Sequence, residues 1–456
     1  MSKNYVNLDT NPCKMCMPMG GALAFKGIEN SMVLMHGSQG CSTYIRRHIA
    51  THYNEPVDIA STSLSENGTV YGGSKNLKHG IMNVMKSYNP GVIGVLTTCL
   101  AETIGEDIGR IIEEFKEKKN IDNIDIIPIN TPGYGASHFE GYFHTVKSII
   151  KFYNDEKAEP NEMINIIVPN ITSSDIREIK RILKLFQADY VLIPDISDTL
   201  DAPYKTEFNK IPDGGTKIDD IKKISGAKAT IEMSVLIDER YSPGKYLADE
   251  YQVPLYSCPI PIGITNVDTF IKTLTQITGK QIPAELVNER GRMLDGMIDS
   301  HKYNGEGRAA IFGDPETVYA VNSLCNENGI KPLIVATGSK ASKMTDLIKS
   351  ESAVVISDTD FDLIHQMVKE LGPNILIGNS DGKMIKEKEH IPLMHIGFPV
   401  HDHIGAQRKL FVGYTGSIRF LDEITNTLID LKHDGFRERL YNEHYLEKGA
   451  DGYEKL

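Results

Sequence analysis

The chain is a succession of short apolar runs, each ending at a glycine- or proline-bearing turn and followed by an amphipathic stretch. Residues 32–35 are wholly apolar and stop at His36-Gly-Ser-Gln-Gly-Cys41, which reads as a buried strand delivering a thiol to the mouth of a sheet. A helix capped by Ser42 or Thr43 is predicted from there to about Tyr53. Segment 58–73, rich in Ser, Thr and Gly, reads as loop, and Leu77, Ile81, Val84, Met85 and Tyr88 then recur at helical spacing until Asn89-Pro90 ends the helix. A second apolar run, 91–96, leads to Thr97-Thr-Cys99, with a helix predicted over 102–118. A strand over 124–129 then reaches the turn Thr131-Pro-Gly-Tyr134. Upstream, residues 1–19 read as an extended lead-in with Pro12 and Pro18 flanking a cysteine pair, and a short helix is predicted over 20–26.

The same unit restarts twice. After the charged linker 154–160 come predicted strands at 164–168, 190–194, 229–231 and 254–256, with helices at 175–186, 267–278 and 283–302. After Gly305-Glu-Gly-Arg308 the strands are 309–312, 332–336, 353–356, 375–377 and 393–396. A helix follows the turn Gly313-Asp-Pro315 as far as Leu324, and another covers 417–432, with Ile418, Leu421, Ile424 and Leu428 on one face. Strand, turn and helix in repetition are the mark of a parallel sheet with crossover helices. The expected fold is therefore α/β, three successive doubly wound, Rossmann-like parallel-sheet domains: 1–158 with the N-terminal cysteines, 159–304, and 305–456 with a C-terminal helix and tail. The charged last stretch, about 20 residues, is expected to be partly mobile.

Composition narrows the function more than the fold. With 456 residues, 40% hydrophobic and 24% charged, the chain has the make-up of a globular protein with large cores. A net charge of -12 and a pI near 5.7 argue against a nucleic-acid partner. No apolar run approaches the ~18 residues of a membrane span. The N-terminal residues are too polar for a signal peptide, so a cytoplasmic protein with reduced thiols is expected.

Six cysteines are present, at 13, 16, 41, 99, 258 and 325; four of them fall in the first hundred residues, and three of those sit beside glycine or proline turns. Clustered thiols at turns in a reducing compartment favour metal over disulfides. Thiolates on backbone that can approach closely suit an iron–sulfur cluster, and Cys13-x-x-Cys16, Cys41 and Cys99 read as its ligands. Taken alone, Cys13-x-x-Cys16 is equally half of a zinc site or a redox pair. Cys258 and Cys325 read as small buried hydrophobes. His36 reads as a hydrogen-bonded strand-end histidine, and Arg46, Arg47 and His48 as a solvated or interface helix face. His401 and His403 are candidates for binding a partner or a metal. Gly313-Asp-Pro lacks the G-x-G-x-x-G pattern, so no nucleotide is expected.

The motifs Asn11-Pro-x-x-x-Cys16-x-Pro18, His36-Gly-Ser-Gln-Gly-Cys41 and Thr97-Thr-Cys99-x-Ala-Glu-Thr-Ile-Gly-Glu-Asp107 together resemble nitrogenase component 1, most closely its beta-type subunits. The likeness continues through Gly72-Gly73, Gly313-Asp-Pro315, Gly378-Asn-Ser-Asp-Gly-Lys383, Gly397-Phe-Pro399 and Gly413-Tyr414 and so covers almost the whole chain. It implies an α2β2 heterotetramer with an alpha-type subunit, docked by an ATP-dependent iron protein. It also implies that Cys16, Cys41 and Cys99 bind half of an eight-iron P-cluster, or a 4Fe–4S cluster, shared with the alpha-type subunit. Cys41 would bridge the two halves, and the larger catalytic cofactor would belong to the partner. Tyr71 and Glu66 fall where the family has its iron-protein docking face.

Three departures accompany the resemblance. Where the family's nitrogenase beta chains carry Thr-Pro-Ser, the serine being an extra ligand of the oxidised cluster, this chain has Thr131-Pro132-Gly133. The stretch His401-Asp-His-Ile-Gly-Ala-Gln-Arg408 looks less like catalytic beta chains than like scaffold and nitrogenase-like relatives. The long N-terminal extension of many molybdenum-nitrogenase beta chains has no counterpart. The readings that follow are an electron-relay subunit of a nitrogenase or nitrogenase-like reductase, the beta-type half of a scaffold for iron–molybdenum cofactor assembly, or an α/β protein with buried thiols and no metal. The substrate, dinitrogen, thioether or other, is open.

Overall fold

Strands Ser31–His36 (β1), Ala60–Ser61 (β2), Val92–Thr97 (β3) and Asp125–Ile129 (β4) pair in the order β2-β1-β3-β4, all parallel. The protein is described from a computed structural model that covers residues 11, 13–207, 209–348, 353–434 and 436–443. Both β1 and β3 are buried along their whole length because helices cover the two faces of the sheet, which is why they read as unbroken apolar runs. Val33 and Met35 face the large central core, while Met32 and Leu34 face a second cluster with Leu77, Ile81 and Ile112.

The second sheet is formed by Ile164–Ile167 (β5), Tyr190–Ile193 (β6), Ala229–Glu232 (β7) and Leu255–Ser257 (β8), in the order β6-β5-β7-β8. The third holds Arg308–Phe312 (β9), Lys331–Ala336 (β10), Val354–Ile356 (β11), Ile375–Gly378 (β12) and Leu393–His395 (β13), in the order β11-β10-β9-β12-β13. The strand pairs in each are parallel, and one hydrophobic cluster containing Val33, Ile166 and Ile311 runs through all three sheets. This is the doubly wound α/β architecture that the pattern predicts.

In the first sheet, order and register matter most. The chain passes from β1 outward to β2 and then crosses back to β3 on the other side of β1, so the crevice beyond the carboxyl ends of β1 and β3 is a topological switch point. The register Ser31↔Val92 through His36↔Thr97 ends the two strands level. The segments that follow them, with Cys41 and Cys99, therefore leave from the same height.

A buried helix pair brings up the third segment. All ten residues of the helix Met17–Lys26 are buried, and it packs against the helix His138–Tyr153. A Cβ on Gly20 would overlap the His138 carbonyl and one on Gly141 would overlap the Met17 carbonyl, so glycine at both positions permits this approach. Cys16 immediately precedes the first helix and forms an isolated antiparallel bridge with Ser137, which precedes the second.

Several expectations are corrected. The first helix begins at Met17, not residue 20, because Pro18 suits a first helical turn. The second, Gln39–Tyr53, starts behind Ser38 rather than at Ser42, which places Cys41 inside its first turn. Segment 58–73 is not all loop; it holds β2 and the helix Glu66–Tyr71. The stretch 102–118 is two helices, Cys99–Thr103 and Ile108–Lys119, broken at Gly105 (φ 72°) and restarted where the Asp107 side chain accepts from Arg110 N at 3.0 Å. Of the tail expected to be mobile, Phe436–Tyr441 is helical, and residues 444–456 lie outside the described residues, as do residues 1–10 of the lead-in.

Candidate metal centre at the first sheet edge

The three thiols named by the sequence come together through the turns that carry them. Gly37 has no room for a side chain, since a Cβ there would overlap the Thr98 hydroxyl; this close approach brings the end of β1 against the end of β3. Thr98 N donates to the His36 carbonyl at 3.0 Å. Thr131 closes the other side, its N–H donating to Thr97 Oγ1 and its hydroxyl to the Thr97 carbonyl, both at 2.7 Å. That pair of bonds lays Pro132 and Gly133 over Cys99. A Cβ on Gly133 would lie 2.9 Å from Cys99 Sγ and 3.3 Å from Cys16 Cβ, so residue 133 sits between two of the thiol-bearing residues.

Each thiol also stands at a helix N-terminus. Cys16 is the N-cap of Met17–Lys26, Cys41 is in the first turn of Gln39–Tyr53, and Cys99 opens Cys99–Thr103. The unpaired N–H groups and the positive end of each helix favour negative charge there. The Ser38 hydroxyl donates to Cys41 Sγ at 3.7 Å. Burial pushes the Cys16 thiol up to about 11, with a further push from the neighbouring Cys41 and Cys99. A thiol held up in this way ionises when a cation balances it, and that is what a metal centre supplies. Cys41 is half-buried and Cys99 exposed, so the group opens outward.

The donor set selects among metals. A single tetrahedral zinc with Zn–S bonds of about 2.3 Å would hold its sulfurs about 3.8 Å apart. The three sulfurs here do not all lie within 4.8 Å of one another. Soft thiols at this wider spacing, on turns with glycine at the contact points, fit an iron–sulfur cluster.

Cys13 separates from Cys16. It takes a left-handed backbone (φ 51°), is 4% exposed, and joins the third sheet's apolar cluster with Ala310 and Phe312. Burial drives its thiol pKa upward, and nearby Asp381 adds to this. The Cys-x-x-Cys spacing is therefore no chelating pair, and Cys13 behaves as a small hydrophobe. Cys258 and Cys325 are buried in the central core.

His36 is held by partners on both ring nitrogens: Nδ1 is 3.0 Å from Thr62 Oγ1 and Nε2 is 2.6 Å from Glu106 Oε2. Gly37 N also donates to Thr62 Oγ1 at 3.1 Å, and Gly73 N donates to Glu106 Oε1. Burial lowers the His36 pKa against the pull of Glu106. A neutral ring donating from Nε2 and accepting at Nδ1 satisfies every link in this chain. The chain connects the Cys41 turn to Gly73 and so to the helix Glu66–Tyr71. At the end of that helix Tyr71 is 87% exposed, whereas the Glu66 side chain lies outside the described residues.

Arg46 and Arg47 lie on the exposed face of Gln39–Tyr53, and Arg46 Nε donates to the Val57 carbonyl at 2.9 Å. Tyr44 had not been singled out. It stands one turn beyond Cys41, half-exposed, with its phenol pKa raised by burial and by Cys16. Its i,i+3 spacing from Cys41 was the available signal, visible once the helix is known to begin before residue 41.

Comparison with known proteins agrees with this geometry. Residues 16–429 match the family described as nitrogenase component 1 type oxidoreductase. The chain is 36% identical over 431 residues to the nitrogenase molybdenum-iron protein beta chain of Clostridium pasteurianum, covering 93% of this chain and 94% of that one. It is also 36% identical over 440 residues to the chain of the same name from Methanococcus maripaludis, covering 92% and 94%. The solved structure titled Nitrogenase Cp1 at pH 6.5 matches with a TM-score of 0.89 and 34% identity over 95% of this chain and 96% of its own. A chain of Nitrogenase Cp1 at pH 5, 15% identical over 96% of this chain and 92% of its own with a TM-score of 0.71, shares the fold. Among the described residues no helix is long and apolar enough to cross a membrane. The chain belongs to the nitrogenase component 1 oxidoreductases and is of their beta type.

Proposed function

We propose that this chain is the electron-relay subunit of a nitrogenase or nitrogenase-like reductase, with Cys16, Cys41 and Cys99 holding half of a P-cluster-type iron–sulfur cluster. The partner in this reading is an alpha-type subunit, in an α2β2 assembly that completes the cluster and carries the catalytic cofactor. An ATP-dependent iron protein supplies the electrons. The observation that carries the proposal is the meeting of three thiols from separate segments, each at a helix N-terminus, with Gly133 between Cys16 and Cys99 and Cys41 beside Cys16. When bound, such a cluster supplies reversible one-electron storage at a potential tuned by its surroundings.

The roles of this chain's own residues follow from their positions. Cys16, half-buried and packed against the central core, anchors the group from within, while Cys99 is exposed on the open side. Gly37 and Gly133 hold backbone close to the thiols. Tyr71, apolar and exposed beyond the His36–Glu106 link, suits the docking face. A full set of three thiols supports the relay reading over the cofactor-assembly scaffold.

The test is Cys41→Ala in the complex purified with its alpha-type partner. Most of the bound iron and the cluster's EPR signal should be lost, and unchanged iron and EPR would remove Cys41 from the ligand set. Turnover separates relay from scaffold: a fully loaded complex that accepts no electrons from the iron protein under ATP overturns the relay role.

A further inference from the structure

We propose that His395, Asp402 and His403 form a binding site for a divalent first-row transition metal such as zinc, independent of the cysteines. His395 ends β13, and the other two lie in the turn after Gly397-Phe-Pro399. Nε2 of His395 is 2.9 Å from Asp402 Oδ1, Nδ1 of His403 is 3.6 Å from the same oxygen, and the three ligand atoms all lie within 4.8 Å of one another. With metal–nitrogen and metal–oxygen bonds of about 2.0–2.2 Å, a tetrahedral ion spaces its ligand atoms about 3.3–3.6 Å apart. The observed separations bracket that value.

The second observation is His395 itself. Its side chain is 5% exposed, and its Nε2 stands 2.9 Å from Asp402 Oδ1. A buried imidazole nitrogen and a carboxylate oxygen held this close can serve as two ligands of one ion. Asp402 Oδ1 also accepts from the Ser380 hydroxyl, whose oxygen in turn accepts from His401 N at 3.0 Å, so the carboxylate is held in place. A cavity of about 40 Å³ adjoins both histidines and is lined also by Val400, Ile404 and Lys409. That is room for one water as fourth ligand. Lys409 does not compete for the site, because its ammonium lies 2.9 Å from Glu423. Two imidazoles, one carboxylate and an open position suit zinc and its neighbours better than calcium or magnesium.

The experiment is zinc binding to the full-length purified protein, with whatever partner chains it carries, by equilibrium dialysis and zinc K-edge absorption. One zinc per chain is expected, with nitrogen and oxygen scatterers at about 2.0–2.1 Å and no sulfur. His403→Ala, at a side chain 53% exposed, should abolish binding without changing iron content. Ser380→Ala should weaken it about tenfold to hundredfold. Absence of binding in the wild type, sulfur in the zinc shell, or wild-type affinity in His403→Ala would each overturn the site.

Discussion

A Cβ at position 133 would sit 2.9 Å from the sulfur of Cys99, closer than real side chains pack, so the identity of residue 133 is coupled to where that thiol points. Gly133→Ala and Gly133→Ser should both displace the Cys99 side chain, which can yield because it is a side-chain end. Only serine adds an oxygen within reach of the cluster. The cluster's midpoint potential, measured in both variants, should shift further in Gly133→Ser than in Gly133→Ala. Equal potentials in all three proteins would dismiss the missing serine as a redox determinant.

Glu106 serves two segments at once through His36 and Gly73. Glu106→Ala orphans the Nε2–H of a buried imidazole and a backbone N–H, a loss of about 2–3 kcal/mol. Glu106→Gln keeps one acceptor and should fall between the two. Denaturant midpoints order the three proteins, and hydrogen exchange at Gly73 should rise in the same order. Protection at Gly73 that stays constant would show the loop to be held by other contacts.

Tyr71 is almost free of the fold, so Tyr71→Ala should leave stability within about 0.5 kcal/mol of wild type. Iron content should be unchanged as well. If Tyr71 is an aromatic anchor for the iron protein worth about 2 kcal/mol, ATP-driven electron delivery should drop about thirtyfold at limiting iron protein. A normal rate would place docking elsewhere.

Glu316, from the helix Pro315–Glu327, joins the third sheet region to the second. It accepts from Ser234 Oγ, from Val235 N at 3.0 Å and from Leu236 N at 2.7 Å, while Oε2 has no partner. Burial raises its pKa from 4.5 to about 7, and Glu232 is raised to about 7 as well. The folded state thus holds protons that the unfolded chain has released. Their stabilisation is complete below about pH 4.5 and is lost as pH rises through about 7. His52 acts oppositely: burial lowers its pKa to about 3, so its contribution is full above about 6.5 and is lost as pH falls toward 3. Glu316→Gln should reduce the pH slope of stability between about pH 5 and 7, seen in thermal melts. Glu316→Ala should cost about 3 kcal/mol or more at any pH by leaving three donors unpaired. A slope unchanged by the glutamine would assign the titration to other groups.

The chain's local pattern was enough to read the parallel sheets. Runs such as Val92–Thr97 are buried on both faces and must be apolar throughout, and their glycine-rich ends mark where chemistry can sit. The placing of Cys41 and Cys99 just beyond two such strand ends was legible for that reason. The division of Cys13 from Cys16 was not, because it depends on which sheet each side chain faces, and two residues three apart carry no mark of that. Nor was the start of the helix Gln39–Tyr53, where Ser38 competes with Ser42 and Thr43 as the capping residue and local propensity does not rank them. His395 looked like the end of an ordinary strand, and only the turn that folds residues 402 and 403 back over β13 makes it a neighbour of Asp402. Periodicity encodes which face of an element is buried. Which faces meet is decided by strand order, register and close glycine contacts such as Gly20 with His138, and these arise between segments too distant along the chain to leave a local trace.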